Sequence, residues 1–143
     1  MKKFIALVCF LCIQPVIANE SKVLSQGELI HQLVLVNSSQ NKSMMKNSSV
    51  QDVDKLFSLY TDDFTYVHEA YGGVYSKNHL YNNTVKYLNS GGYNKIADRY
   101  TIVNYIVGLN TIAVQRLEDS GKLHLSVFEF KGKKVKTITE YWQ

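Results

Sequence analysis

Four histidines, at positions 31, 68, 79 and 124, are the side chains best suited to moving protons near neutral pH, because an imidazole titrates at about 6.5. They are scattered along the chain. A metal site built from them would lack a third ligand, so neither a metal nor another cofactor is expected. The sequence carries no H-E-x-x-H, no G-x-S-x-G and no glycine-rich phosphate loop, which removes zincin, α/β-hydrolase and nucleotide-driven chemistry. Glu140 is the sharpest single observation. Strand alternation puts this carboxylate between Ile138 and Trp142 on one face, and a buried unpaired charge is expensive. It therefore needs a partner, which Arg116 or His68 can supply. A structural ion pair is the simpler outcome and acid/base work the more consequential one.

These residues lie on or before a stretch that reads as four consecutive strands. Arg99 to Val107, Thr111 to Glu118, Lys122 to Phe130 and Val135 to Trp142 are rich in β-branched and aromatic residues. Each joint contains glycine, at Gly108, Gly121 and Gly132, which suits the positive φ of short hairpin loops. Short loops join strands antiparallel, so the segment predicts a meander. Such a sheet needs cover.

The cover comes from upstream. Glu20 to Val36 places Leu29, Ile30, Leu33, Val34 and Val36 along one side of a helix. Asn37 to Ser49, almost entirely Asn, Ser and Lys, predicts a turn or a frayed helix end. Ser49 and Asp52 open a second helix, whose stripe of Val53, Leu56, Phe57 and Tyr60 is ended by Asp62-Asp63. Phe64 to Ala70 and Gly73 to Tyr75 read as short strands. Ser76 then caps a third helix, with Leu80, Tyr81, Thr84, Val85 and Leu88 on one face as far as Gly91-Gly92. Helices segregated from an antiparallel sheet predict an α+β domain.

The first residues have a different character. Met1-Lys2-Lys3, the apolar run Phe4 to Ile13 and a small-residue ending at Ala18 read as an export signal cleaved after Ala18, leaving one domain over 19–143. The apolar run is shorter than the roughly 20 residues a membrane span requires. Both cysteines, Cys9 and Cys12, leave with it, so their C-x-x-C spacing carries no redox meaning. Lys2 and Lys3 leave too, so Lys plus Arg falls from 16 to 14 against 12 acidic residues, a net charge of +2. That balance gives no case for nucleic acid, and no membrane association is expected after cleavage. The expected location is periplasmic or secreted, in a bacterium. Asn37, Asn41, Asn47 and Asn82 begin N-x-Ser/Thr sequons, which chance explains in so Asn-rich and Ser-rich a chain.

Three passages resemble the nuclear transport factor 2-like superfamily, in its SnoaL-like and ketosteroid-isomerase-like branches. They are Asp52 to Phe64 (DVDKLFSLYTDDF), Tyr66 to Gly73 (YVHEAYGG) with the helix start Ser76 to Leu80, and Phe128-Glu129-Phe130 followed by Gly132, Val135 and Glu140-Tyr141-Trp142. The resemblance implies a cone-shaped fold, a curved antiparallel sheet wrapped around helices with a pocket open at one end. It implies isomerase, cyclase, dehydratase or hydrolase chemistry on small apolar molecules, or ligand binding alone, and frequent dimers through the outer sheet face. Fold alone does not choose among these.

Carried residue by residue, the resemblance puts His68 where the isomerases hold a proton-transferring carboxylate. Ser126 falls where they hold a protonated acid, and a serine hydroxyl is a weaker donor to an oxyanion. Their phenol on the first helix has no Tyr here; His31 is the nearest polar residue. These departures argue against steroid isomerisation. The implied concave face carries His124, Ser126, Phe128, Phe130, Ile138, Glu140 and Trp142, with Arg116 a partner for Glu140. Tyr66, Tyr71 and Tyr75 can rim the mouth. The other face, with Leu123, Leu125, Val127 and Tyr141, is half apolar and predicts a homodimer. The first expectation is thus an exported module binding a small apolar molecule without converting it. Two rivals stand beside it: an enzyme using His68 with Glu140 and Tyr66 for proton transfer, and a dimeric protein-interaction module.

Overall fold

The computed structural model describes residues 23–142. The expected leader and its cleavage after Ala18 lie outside the described residues. The elements are α1 (Gln26–Ser43), α2 (Val50–Ser58), β1 (Tyr60–His68), a 3₁₀ turn (Glu69–Tyr71), β2 (Gly73–Ser76), α3 (Lys77–Asn89), β3 (Tyr100–Gly108), β4 (Thr111–Glu118), β5 (Leu123–Lys131) and β6 (Lys134–Trp142). The strands form one curved, open sheet in the order β2-β1-β6-β5-β4-β3. Helices pack on its concave side. The core they enclose includes Leu29, Leu33, Val53, Ile112, Val114, Phe128, Val135 and Ile138.

Helix α1 begins at Gln26 rather than Glu20, because Ser25 and Glu28 form a reciprocal capping box. It also runs on to Ser43, through residues expected to turn. The reason is that its polar residues have work to do on the buried side. The Asn41 amide accepts from the Tyr100 N–H at 2.9 Å and donates to the Tyr100 carbonyl at 2.8 Å, and Asn37 donates to the same carbonyl at 3.1 Å. Side chains that favour turns when solvated are held in a helix here because they satisfy the backbone at the start of β3.

Helix α2 starts at its expected cap, where the Asp52 carboxylate accepts from the Ser49 N–H at 2.9 Å, and hydrogen bonds from the Ser49 hydroxyl and backbone hold its pKa below the usual carboxylate range. Val53, Leu56 and Phe57 are buried as the spacing predicts. Tyr60 is not on this helix. The helix stops at Ser58, and β1 begins at Tyr60 instead of Phe64. What draws Tyr60 into the sheet is β6, which pairs with β1 in parallel from Tyr60↔Val135 to His68↔Glu140, with an irregularity between Tyr60 and Thr65. A parallel partner at the far end of the chain leaves no turn signal.

The meander β3-β4-β5-β6 is antiparallel throughout. At two joints glycine takes the positive φ, Gly121 at 87° and Gly132 at 57°. At the first it is Asn110, at 50°, and not Gly108. Helix α3 buries no residue fully, but Leu80, Tyr81, Val85 and Leu88 pack against the core and close the third side of the cone.

Candidate ligand-binding site

Between the three helices and the concave sheet face lies a cavity of about 280 Å³. Strand alternation on β1 and β6 aims Tyr60, Phe64, Tyr66, Ile138 and Glu140 into it, and α2 and α3 add Leu56, Phe57 and Leu80. Gln40 reaches it from the end of α1 that extends beyond the expected boundary. Tyr100 lines it from β3. Thr84, Tyr93 and Arg99 are wall residues that remain partly exposed.

One wall of the cavity is held by a buried polar network centred on Arg116, whose side chain is fully buried. Its NH2 donates to Glu140 Oε1 at 2.5 Å and to Ser126 Oγ at 2.9 Å, and its NH1 donates to Gln40 Oε1 at 2.7 Å. The guanidinium lies over the Tyr100 ring, 4.2 Å from its centroid, and 5.3 Å from that of Phe128. The second Glu140 oxygen accepts from Trp142 Nε1 at 2.5 Å. A buried ion pair is tolerated when its spare donors and lone pairs are also met, and these contacts engage both terminal nitrogens of Arg116 and both oxygens of Glu140, leaving Arg116 Nε as the one group of the pair without a hydrogen bond among the described residues.

Phenols around the network are kept protonated. Burial, followed by the charge of Glu140 and a hydrogen bond to it, pushes the Tyr66 hydroxyl well above the ordinary phenol range. Burial does the same to Tyr60. Tyr100 is pushed up to about 12 by burial and by Glu140. A second ion pair stands at the other end of the same wall, with Arg99 NH2 2.7 Å from Glu118 Oε1. Burial works against the Glu118 charge, but hydrogen bonds from Ser120 and Arg99 outweigh it and hold the carboxyl at about 2.

No family model matches the sequence, and no curated protein matches it. Comparison with solved structures is informative instead. A SnoaL-like protein of unknown function from Burkholderia thailandensis E264 superposes with a TM-score of 0.62 at 16% identity, over 84% of this chain and 98% of that one. An NTF2-like protein of unknown function from Burkholderia xenovorans LB400 gives 0.60 at 17% identity, over 82% and 84%. A protein with a ketosteroid isomerase-like fold from Catenulispora acidiphila DSM 44928, in complex with trimethylamine, gives 0.53 at 12% identity, over 76% and 85%. This chain has the nuclear transport factor 2-like fold. The resemblance in its sequence and the cone in its structure agree.

Within that NTF2-like cone, the residues singled out by sequence fall into three groups. Tyr66 and Glu140 line the cavity. Arg116, Ser126, Phe128 and Trp142 stand behind it, each touching Glu140 or Arg116. The two candidate histidines sit farther off. His68 is buried beside Trp142, with ring centroids 4.5 Å apart, and is not a wall residue of the cavity. His124 flanks the same indole at 4.6 Å, with Nε2 3.4 Å from Glu118 Oε2. Arg116, one of two partners expected for Glu140, meets it directly. His31 is exposed and does not take the place of the missing phenol. The Tyr71 side chain lies outside the described residues. Sequence reasoning missed Gln40, Tyr60 and Tyr100 as wall residues, because Gln40 sits in a run of turn formers and Tyr60 continued a helical stripe. Among the described residues, no three His, Cys, Asp or Glu side chains gather as metal ligands would.

Proposed function

We propose that this chain binds a small, largely apolar molecule in its cone and does not convert it. The observation that carries this reading is the cavity itself, about 280 Å³ in volume, walled by Leu56, Phe57, Phe64, Leu80 and Ile138 with polar groups gathered at Gln40, Tyr60 and Glu140. An engineered cavity of about 150 Å³ accepts benzene, so this one suits a ligand of roughly ten non-hydrogen atoms. The trimethylamine complex of the Catenulispora acidiphila protein supports the use of this fold to hold a small molecule.

Catalysis by His68 gains no support from its position, since its ring packs against Trp142 and does not line the cavity. Glu140 is equally ill placed to abstract a proton, with one oxygen held by Arg116 and the other by Trp142. The test is native mass spectrometry of protein purified from its own host. A co-purifying small molecule, lost when Ile138→Trp fills the cavity, is the expected result. A folded protein that carries nothing, and whose melting temperature no small molecule raises, would remove the reading.

The convex face supports a further proposal, a homodimer. Leu123, Leu125 and Tyr141 are 36%, 45% and 44% exposed on adjacent strands, with Ile106 nearby on β3. Leu123, Leu125 and Ile106 border a surface groove of about 290 Å³. A second copy of the chain would cover this face.

A further inference from the structure

The cavity wall contains a chain of donors and acceptors whose direction follows from chemistry alone. Arg116 can only donate. Its NH1 lies 2.7 Å from one end of the Gln40 amide, which must therefore be the oxygen. The amide nitrogen then faces Tyr60, whose hydroxyl is 3.1 Å away. An amide nitrogen can only donate, so the Tyr60 oxygen is the acceptor and its proton is left for another group. Among the described residues, Gln40 is the one hydrogen-bond partner of the Tyr60 hydroxyl.

The ring is also fixed in place. Phe64 stacks on it with centroids 4.2 Å apart, and Phe57 meets it edge-on at 5.4 Å. Tyr60 is 3% exposed, so bulk water is a poor alternative acceptor. The charges of the wall, in contrast, are already matched within the protein: Glu140 by Arg116 and Arg99 by Glu118. A charged ligand would find no complement, whereas a neutral ligand with an acceptor oxygen would find a waiting donor in Tyr60.

We propose that Tyr60 is the specificity-determining donor of the cavity, and that its ligand is a neutral, compact molecule bearing an acceptor oxygen, of the aryl ketone type. This rests on the binding reading above and narrows it. The relay from Arg116 through Gln40 sets the direction of the Tyr60 proton, and the ligand oxygen receives it. A pocket that presents a buried donor discriminates against an analogue lacking the acceptor, because the donor is then left unmet.

The test is calorimetric titration with two probes of nearly equal shape, 1-indanone and indane. The quantity read is the ratio of their affinities. Tyr60→Phe removes the donor, and the ratio is expected to shift toward indane by about fivefold to tenfold, the scale of one neutral hydrogen bond. Gln40→Glu is the more pointed variant. A carboxylate only accepts, so it would draw the Tyr60 proton away from the cavity without removing the hydroxyl, and the same shift in ratio is expected. It also keeps the proposal testable if Tyr60→Phe fails to fold. Binding of both probes with an unchanged ratio in the variants would overturn the Tyr60 assignment and leave the binding reading standing. Binding of neither probe to the wild-type chain would overturn both.

Discussion

The two faces of the meander reverse the usual division of side chains. Arg116, Ser126 and Glu140, on the concave face, are 0%, 0% and 3% exposed, while their chain neighbours Leu117, Leu125 and Tyr141, on the convex face, are 39%, 45% and 44% exposed. Moving each strand by one residue would put leucine inside and arginine outside, the cheaper arrangement for a core that only has to hold together. Ordinary core logic does apply elsewhere on the same strands, at Ile112, Val114 and Phe128. The reversal is therefore local, and it surrounds the cavity. A sequence that breaks a packing rule at one place and obeys it next door marks the place where something other than stability is being served.

The sharpest way to break this contrast is to remove the charge that organises the concave side. Arg116→Met leaves Glu140 buried without its cation, and unfolding in urea should show a loss of about 3–5 kcal/mol. A loss below about 1 kcal/mol would mean that the network is not the strut described here. Acid should act on the same wall through Glu118. Its folded-state value of about 2 lies below the ordinary 4.5, so its contribution is complete above the ordinary value and fades as pH falls from there toward 2. Melting temperatures across that window should drop for the wild type and drop less for Glu118→Gln. The smallest effect on stability belongs to the convex face, where Leu125→Lys should shift unfolding by no more than about 0.5 kcal/mol. Its visible effect should be on mass instead. Light scattering is expected to report a monomer where the wild type reports a dimer, and an undisturbed dimer would move the contact to another surface.

How much of this was legible depended on the range of the interaction. The meander was readable because its pairings are local and its turns carry their own signals, as at Gly121 and Gly132. The need of Glu140 for a partner was readable because alternation put a carboxylate between Ile138 and Trp142. The parallel pairing of β1 with β6 was not, since nothing near Tyr60 in the sequence announces Val135. From that one gap came the misplaced helix end and the omission of Tyr60 from the site. Gln40 was hidden for a related reason. Its neighbours Asn37 and Asn41 favour turns by local preference and become helical only because Tyr100, far along the chain, needs their amides.

That last contact also bears on how the chain behaves in a crowd. β3 is an edge of the sheet, and an open edge is a template on which a stray strand can add. By occupying both the N–H and the carbonyl of Tyr100, the Asn41 amide stands in for the first rung of such a strand, so an incoming chain finds its starting position taken. Asn41→Leu would reopen that rung, and the harm would show as aggregation on refolding at high concentration before it showed in the folded protein.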